Sequence, residues 1–327
     1  MKKVAVIGGA GYIGSFTAQA LHKSGYKVIV VDDLSLGHKK AVRGLSIKKI
    51  DIVNQAEVLV KFFKQEKFDA VFHFAALAQV RESMKNPGLY FTHNVSGSIN
   101  VIEAAAVSGI DKFIFSSTAS VYGNPEKLPI PESHSLNTTN VYGETKIMIE
   151  KVLQWYWKIF QLSSVSIRYF NASGASKDGK MGESHLTETH LIPNIICAAL
   201  KEKEVVIFGN DYPTPDGTCM RDYIHVYDLA SIHIQALEYI NSNAGAFVFN
   251  AGAGEVHSNL EVVKAVEKVM GKKVKYSFGP KREGDPAKLV ADSRLAKKKL
   301  GWVPKNSDLA TIIKSAWLWH SKHPRGY

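Results

Sequence analysis

Tyr142-Gly-Glu-Thr-Lys146 puts a phenol and an ammonium four residues apart, and Ser116-Ser-Thr118 supplies small hydroxyls about two dozen residues earlier. Such a set could abstract a proton. A tyrosine of ordinary pKa, about 10, must fall to about 7 to act as a base near neutrality, which costs about 4 kcal/mol. One cation about 5 Å away, at an effective dielectric of about 20, supplies roughly 3 kcal/mol before desolvation is subtracted. Two cations would suffice. Apolar residues at Ile147, Ile149, Val152, Leu153, Tyr156 and Phe160 predict a helix over residues 142–160, which sets Tyr142 and Lys146 one turn apart on one face. Tyr-x-x-x-Lys also arises by chance as an exposed helical pair, so the rest of the chain must supply the context.

Residues 3–7 are a short β-branched run, followed by Gly8-Gly-Ala-Gly11-Tyr-Ile-Gly14 and a helical pattern through Phe16, Ala20 and Leu21. In a strand, glycine turn and helix the glycines let backbone approach a pyrophosphate, and the helix N-terminus favours the anion. Lys27-Val-Ile-Val-Val-Asp32 then predicts a second strand ending in an acid. A carboxylate there accepts hydrogen bonds from ribose hydroxyls and repels a 2′-phosphate, which selects NAD over NADP. Ile50-Asp51-Ile52 reads as a strand end, Val58, Leu59 and Phe62 as a helix, and Ala70–Phe74 as a strand running into Ala75-Ala76, where small residues let a cofactor pass. His73, inside that apolar run, reads as a satisfied core histidine.

A long helix is expected over Pro87–Ser108, carrying Asn94. The strand Lys112–Ser116 ends in Ser117, Thr118 and Ala119, which places hydroxyls at the carboxyl end of a parallel strand, where open α/β sheets bind ligands. An extended loop, Asn124–Glu132, precedes the Tyr142 helix, and Ser164–Phe170 follows it as a strand. This alternation predicts an α/β fold with a doubly wound parallel Rossmann sheet. Periodicity weakens after residue 171, so a dinucleotide-binding domain over 1–171 and a smaller α/β substrate domain over 172–327 are expected. Within the second, helices fall near 191–201, 226–240, 259–270 and 309–320, a strand at 246–250 and a turn cluster at 209–217, with some segments returning to the first domain.

The totals exclude other classes. No apolar run approaches the 18 or more residues needed to span a bilayer, and Met-Lys-Lys leads straight into the first strand, which points to a cytoplasmic protein. Cys197 and Cys219 alone make no disulfide framework, and no paired Cys or His spacing suggests zinc, so no metal is expected. The formal net charge of +11 is scattered apart from Lys272-Lys273-x-Lys275 and Lys297-Lys298-Lys299, and no nucleic-acid module is present. A phosphorylated small molecule needs only a few of these cations.

Taken in this order, the glycines, Asp32, the Ser-Ser-Thr strand end and Tyr142-x-x-x-Lys146 resemble the extended short-chain dehydrogenase/reductase superfamily over essentially the whole length. Within it, Arg168-Tyr-Phe-Asn171, Gly209-Asn-Asp-Tyr-Pro-Thr-Pro-Asp-Gly-Thr218 and Arg221-Asp-Tyr-Ile-His-Val-Tyr-Asp-Leu-Ala230 are similar to the bacterial UDP-glucose 4-epimerases. The resemblance implies tightly held NAD, a UDP-hexose substrate, a homodimer and no net redox change. It makes Tyr142 the base, Lys146 the partner that binds nicotinamide ribose and lowers the Tyr142 pKa, and Thr118 the donor to phenol and sugar O4. Gly8, Gly11, Tyr12, Ile13, Gly14, Asp32, Asp51, Ile52, Phe74, Ala75, Ala76, Asn94 and Tyr169 become cofactor contacts. Asn171, His190, Leu191, Phe208, Arg221, Arg282 and Asp285 become UDP-sugar contacts, with the guanidinium groups matched to a diphosphate.

The implied reaction interconverts UDP-galactose and UDP-glucose. Tyr142 takes the C4 hydroxyl proton as hydride leaves for NAD, the transient 4-keto-hexose turns over while UDP stays anchored, and hydride returns to the other face. The chain departs from the family in placing Thr118 where some members have serine, which keeps the hydroxyl. Ala78 stands where some have lysine, removing one cofactor-phosphate contact. Lys288 falls at a variable position bordering the sugar pocket, which leaves hexose or N-acetylhexosamine open. A nucleotide-sugar dehydratase or decarboxylase shares the glycines and the Tyr-Lys pair, but Ala119 and Ser120 follow Thr118 where a dehydratase needs an acid. An idle NAD-binding regulator would have no reason to keep Thr118, Tyr142 and Lys146 together.

Overall fold

Val4-Ala-Val-Ile7 is fully buried because it lies in the middle of a parallel sheet covered on both faces. In this computed structural model, which describes residues 2–282 and 284–327, seven strands run in the order Ala246–Ala251, Ser163–Tyr169, Lys112–Thr118, Ala70–His73, Lys3–Ile7, Lys27–Val31, Ser46–Lys48. All their pairings are parallel. Side chains alternate between faces, so Val4 and Val6 join one core while Ala5 and Ile7 join the other. The first core is roofed by the helices Tyr12–Lys23 and Val226–Ser242, through Ala18, Leu21, Leu229, Ile232 and Ala236. The second is roofed by Ala56–Glu66, Gly97–Val107 and Val141–Phe160, through Leu59, Phe63, Val101, Ile102, Ile149 and Leu153. The strand order reverses beside Lys3–Ile7, and that switch point is where a crevice opens.

The catalytic-candidate helix runs Val141–Phe160 and starts where Asn140 caps it, accepting the Gly143 N–H at 2.8 Å. Two elements differ from expectation. The third strand is Ser46–Lys48 and stops short of Ile50–Ile52, because the Asp51 carboxylate accepts the N–H groups of Val53 at 2.8 Å and Asn54 at 3.2 Å. That local turn competes with the sheet ladder. The expected Pro87–Ser108 helix is interrupted: Pro87–Tyr90 is α-helical, Phe91–Ser96 widens to a π-helical turn, and Gly97–Val107 resumes the α-helix. Such turns concentrate at functional sites, and this one carries Asn94.

The later half builds a further core where the helices Leu191–Leu200, Asn259–Met270 and Leu309–Lys322 meet, beside the paired strands Val205–Phe208 and Tyr276–Gly279. Val226–Ala251 belongs to the large sheet instead, since Ala246–Ala251 pairs residue by residue with Ser164–Tyr169. Among the described residues no helix is long and apolar enough to cross a membrane.

Candidate active site

The carboxyl ends of the central strands open into one cleft of about 1860 Å³, well beyond the 300–1,000 Å³ or so typical of a site for one drug-sized ligand. One end is built from the glycine turn. Gly8 holds a φ of +71°, and a Cβ there would stand 2.3 Å from the Ala75 backbone nitrogen; one on Gly14 would stand 2.3 Å from the Gly8 carbonyl oxygen. Gly11 precedes the first helix without a side-chain cap, leaving the helix's first N–H groups for an anion. Gly14→Ala is therefore expected to cost about 1–3 kcal/mol of stability by overpacking, read as a lower thermal midpoint, together with loss of dinucleotide from the purified protein.

Asp32 sits 7% exposed at the end of its strand, its carboxylate accepting the Ala10 and Leu34 N–H groups, each at 2.9 Å. Burial pushes this carboxyl up against the pull of those two donors. Tyr12, Ile13, Asp51, Ile52, Phe74, Ala75 and Ala76 line the same end. Backbone cradles that a Cβ would fill and a buried acid beyond the second strand fit a dinucleotide. Asn94 differs from its expected position. It lies behind the wall, accepting the Leu77 N–H at 2.8 Å and donating to Leu77 O at 2.9 Å and to Thr145 at 3.1 Å, so its amide braces the Leu77 loop instead of lining the cleft.

Tyr142, Lys146, Thr118 and Tyr169 meet at the middle of the cleft. The Lys146 ammonium is buried, donates to the Ser116 carbonyl at 2.9 Å and stands 5.8 Å from the centre of the Tyr142 ring. Its pKa drops to about 7 through burial, with Glu150 one turn further on pulling it back up. The expected lowering of the Tyr142 pKa by Lys146 is not what the chain does alone. Burial dominates and pushes the phenol up to about 12, with the Thr118 hydroxyl the group that pulls it down. The Lys146 charge is itself disfavoured by burial, and its hydrogen bond goes to the Ser116 carbonyl. Tyr169 is also pushed up by burial, and its hydroxyl pairs with Ser116 Oγ. His73 is a core histidine but only half satisfied: Nε2 pairs with Ser98 at 2.8 Å, while the buried Nδ1 has no partner within the described chain, and burial takes its pKa to about 3.

The other end gathers Asn171, His190, Leu191, Phe208, Arg221, Arg282 and Asp285. Asn171 donates to the Asp222 carbonyl at 2.9 Å. Arg221 donates to Pro286 O at 2.8 Å and to the Asp285 carboxylate at 3.2 Å. Arg282 stacks on Phe208 with its guanidinium 4.0 Å from the ring centre, and its buried Nε has no partner within the described chain. Burial lowers its pKa, and neighbouring Arg81 lowers it further. An orphaned guanidinium donor beside a second arginine is what a phosphate oxygen satisfies. Ala78 lines the cleft, whereas Lys288 does not; its neighbour Leu289 does.

Three groups escaped sequence reading. Arg81 also stands over the Phe208 ring, 5.0 Å from its centre. Glu150 lies under Lys146, receiving Arg168 Nε at 2.9 Å and Ser117 Oγ at 2.5 Å. Glu183, His185 and Glu188 join His190 on one loop; their alternating spacing was the one available signal. The sequence signature of the NAD dependent epimerase/dehydratase family matches residues 4–252. The chain belongs to this family.

Relatives in the family extend the match to the full length. A UDP-glucose 4-epimerase of Lactobacillus helveticus is 45% identical over 326 residues, 99% of each chain. A UDP-glucose 4-epimerase from Brucella ovis, solved in complex with NAD, is 42% identical with a TM-score of 0.94, covering 97% of this chain and 98% of that one. Another from Bifidobacterium longum, in complex with NAD+ and UDP, is 36% identical with a TM-score of 0.94 and full coverage of both.

Proposed function

We propose that the protein is a UDP-glucose 4-epimerase that holds NAD over residues 1–171 and the UDP-sugar largely on residues 172–327. The observation that carries this reading is one cleft joining two things: the buried Tyr142, Thr118 and Lys146, and a buried arginine donor with no partner in the described chain, Arg282. The full-length similarity to epimerases supports it.

When bound, NAD would accept a hydride from the sugar and return it, and its oxidised ring would add the second positive charge that the Tyr142 phenol needs. Gly8, Gly11 and Gly14 would admit its pyrophosphate to the backbone, and Asp32 would take the ribose hydroxyls. Tyr142 removes the proton from the C4 hydroxyl and later restores it. Thr118 steadies the phenolate with the same hydroxyl that already lowers the phenol's pKa. Arg221 and Arg282 hold the diphosphate, so the hexose can turn over while the nucleotide stays fixed. Ala119 and Ser120 offer no acid to protonate a leaving hydroxyl, so elimination is not supported.

Incubation of the purified protein with UDP-galactose, without added oxidant and with product chromatography, should give UDP-glucose. Accumulation of a stable keto-sugar would overturn epimerisation. A parallel incubation with UDP-N-acetylglucosamine decides the breadth of the sugar pocket.

A homodimer fits the surface. Val107 on one helix and Met148, Trp155, Ile159 and Phe160 on its packed neighbour are exposed large apolar residues, Trp155 at 59% and Ile159 at 64%. A second copy covers such a face. Trp155→Glu combined with Ile159→Glu is expected to give a monomer by light scattering with unchanged far-ultraviolet dichroism. A dimer that persists would place the interface elsewhere. Two free cysteines, Cys197 and Cys219, fit the reducing cytoplasm.

A further inference from the structure

The loop leading into the Leu191–Leu200 helix carries a side-chain set that proton abstraction and diphosphate anchoring do not require. Glu183, His185, Glu188 and His190 each present one ligand atom, and all four atoms lie within 4.8 Å of one another. His185 Nδ1 stands 3.4 Å from a Glu183 oxygen and 3.3 Å from a Glu188 oxygen, and His190 Nδ1 stands 3.4 Å from the other Glu188 oxygen. Around a tetrahedral Zn2+ with bonds of about 2.0–2.1 Å, neighbouring ligand atoms are about 3.3–3.4 Å apart. The two oxygens of Glu188 face different imidazoles, so with either one taken as the ligand, two of the six edges of such a tetrahedron are already drawn. His190 Nδ1 touches Glu183 directly, so that edge has to open when an ion enters.

The loop is held ready. Trp319 Nε1 donates to the Glu183 carbonyl at 2.8 Å, the Gly182 N–H donates to the Tyr327 hydroxyl at 3.1 Å, and His38 Nε2 pairs with the Ser184 carbonyl at 3.0 Å. The Glu183 side chain is only 4% exposed and the Glu188 side chain 17%. The two carboxylates already pair with both imidazoles, and an entering divalent ion would take the place of the protons that pair them. One divalent ion with two neutral imidazoles leaves the set uncharged. Imidazole with carboxylate favours first-row transition ions over Mg2+ or Ca2+.

We propose that Glu183, His185, Glu188 and His190 bind one divalent transition ion of the Zn2+ class, which cross-links the 183–190 loop within itself. The site does not depend on the epimerase reading. His190 and Leu191 line the cleft, so the ion would fix the wall from which they project.

Full-length protein stripped by a chelator is titrated with Co2+ and followed by visible absorption, with bound Zn2+ counted after equilibrium dialysis. One saturable ion per chain is expected, with the intense bands of four-coordinate Co2+, displaced by equimolar Zn2+ and untouched by excess Mg2+. His185→Gln and Glu188→Gln should each weaken binding at least tenfold. His185→Cys, which keeps a ligand, should retain Co2+ and add a thiolate charge-transfer band, and this readout stands even if the glutamine variants fold poorly. The absence of saturable binding, binding unchanged in the glutamine variants, displacement by Mg2+, or a cysteine variant without the new band would each overturn the proposal.

Discussion

Tyr142→Phe is expected to yield a folded protein that still binds dinucleotide and whose turnover of UDP-galactose is lower by about 10²–10⁴-fold, the usual weight of general acid–base catalysis. The change removes one oxygen from a buried ring. In the folded chain that phenol is neutral at pH 7, since burial holds its pKa at about 12. Its interaction with Thr118 is a single neutral hydrogen bond, so stability should move by about 1 kcal/mol. The chemistry loses more, because the other phenol at this point of the cleft, Tyr169, is already paired with the Ser116 hydroxyl. Thr118→Val is the companion: it removes the hydroxyl that lowers the phenol's pKa, so the rising limb of the pH–rate profile should move to higher pH. Turnover of Tyr142→Phe within a few-fold of the parent protein would remove the phenol from the reaction.

What the sequence disclosed about this site was what periodicity carries. The helix that pairs Tyr142 with Lys146, the glycine turn and Asp32 each follow from local spacing, because one strand, one turn and one helix decide them. The pKa of Tyr142 did not follow, since desolvation depends on everything packed around the phenol, and spacing to Lys146 says nothing of where the ammonium points. It points at Ser116 O. Strand three was misplaced because Asp51 spends its carboxylate on the backbone beyond it, a competition that β-branched flanking residues conceal. Lys288 and Leu289 differ in which reaches the cleft, although they sit side by side on one two-residue strand. Sequence similarity places the position but not its side-chain direction. Arg81, Glu150 and the Glu183–His190 loop come from contacts between distant elements or from irregular backbone, where no period exists to be read.

Glu150→Gln should expose how Lys146 keeps its charge. Glu150 accepts Arg168 Nε at 2.9 Å and pairs with Arg168 Nη2, and both side chains are at most 5% exposed. Burial works against the Arg168 charge, and Glu150 outweighs it, holding the guanidinium above its ordinary range. Arg168 also donates to the Tyr122 hydroxyl at 3.1 Å, which in turn donates to Asn250 at 2.7 Å, so the network ties the Lys146 helix to the outer strand of the sheet. Removing one partner of a buried pair leaves the other charge uncompensated, and a loss of about 3–5 kcal/mol is expected in denaturant unfolding. The effect on Lys146 is separate. Its folded pKa of about 7 lies below the ordinary 10.5, so between those values the unfolded chain binds the extra proton and the contribution of Lys146 to stability rises with pH. Losing the Glu150 carboxylate lowers the folded pKa further and extends that window downward. If the reaction needs the ammonium, the alkaline limb of kcat/KM moves to lower pH by the same displacement. A merely structural Glu150 would cost stability and leave the profile where it was.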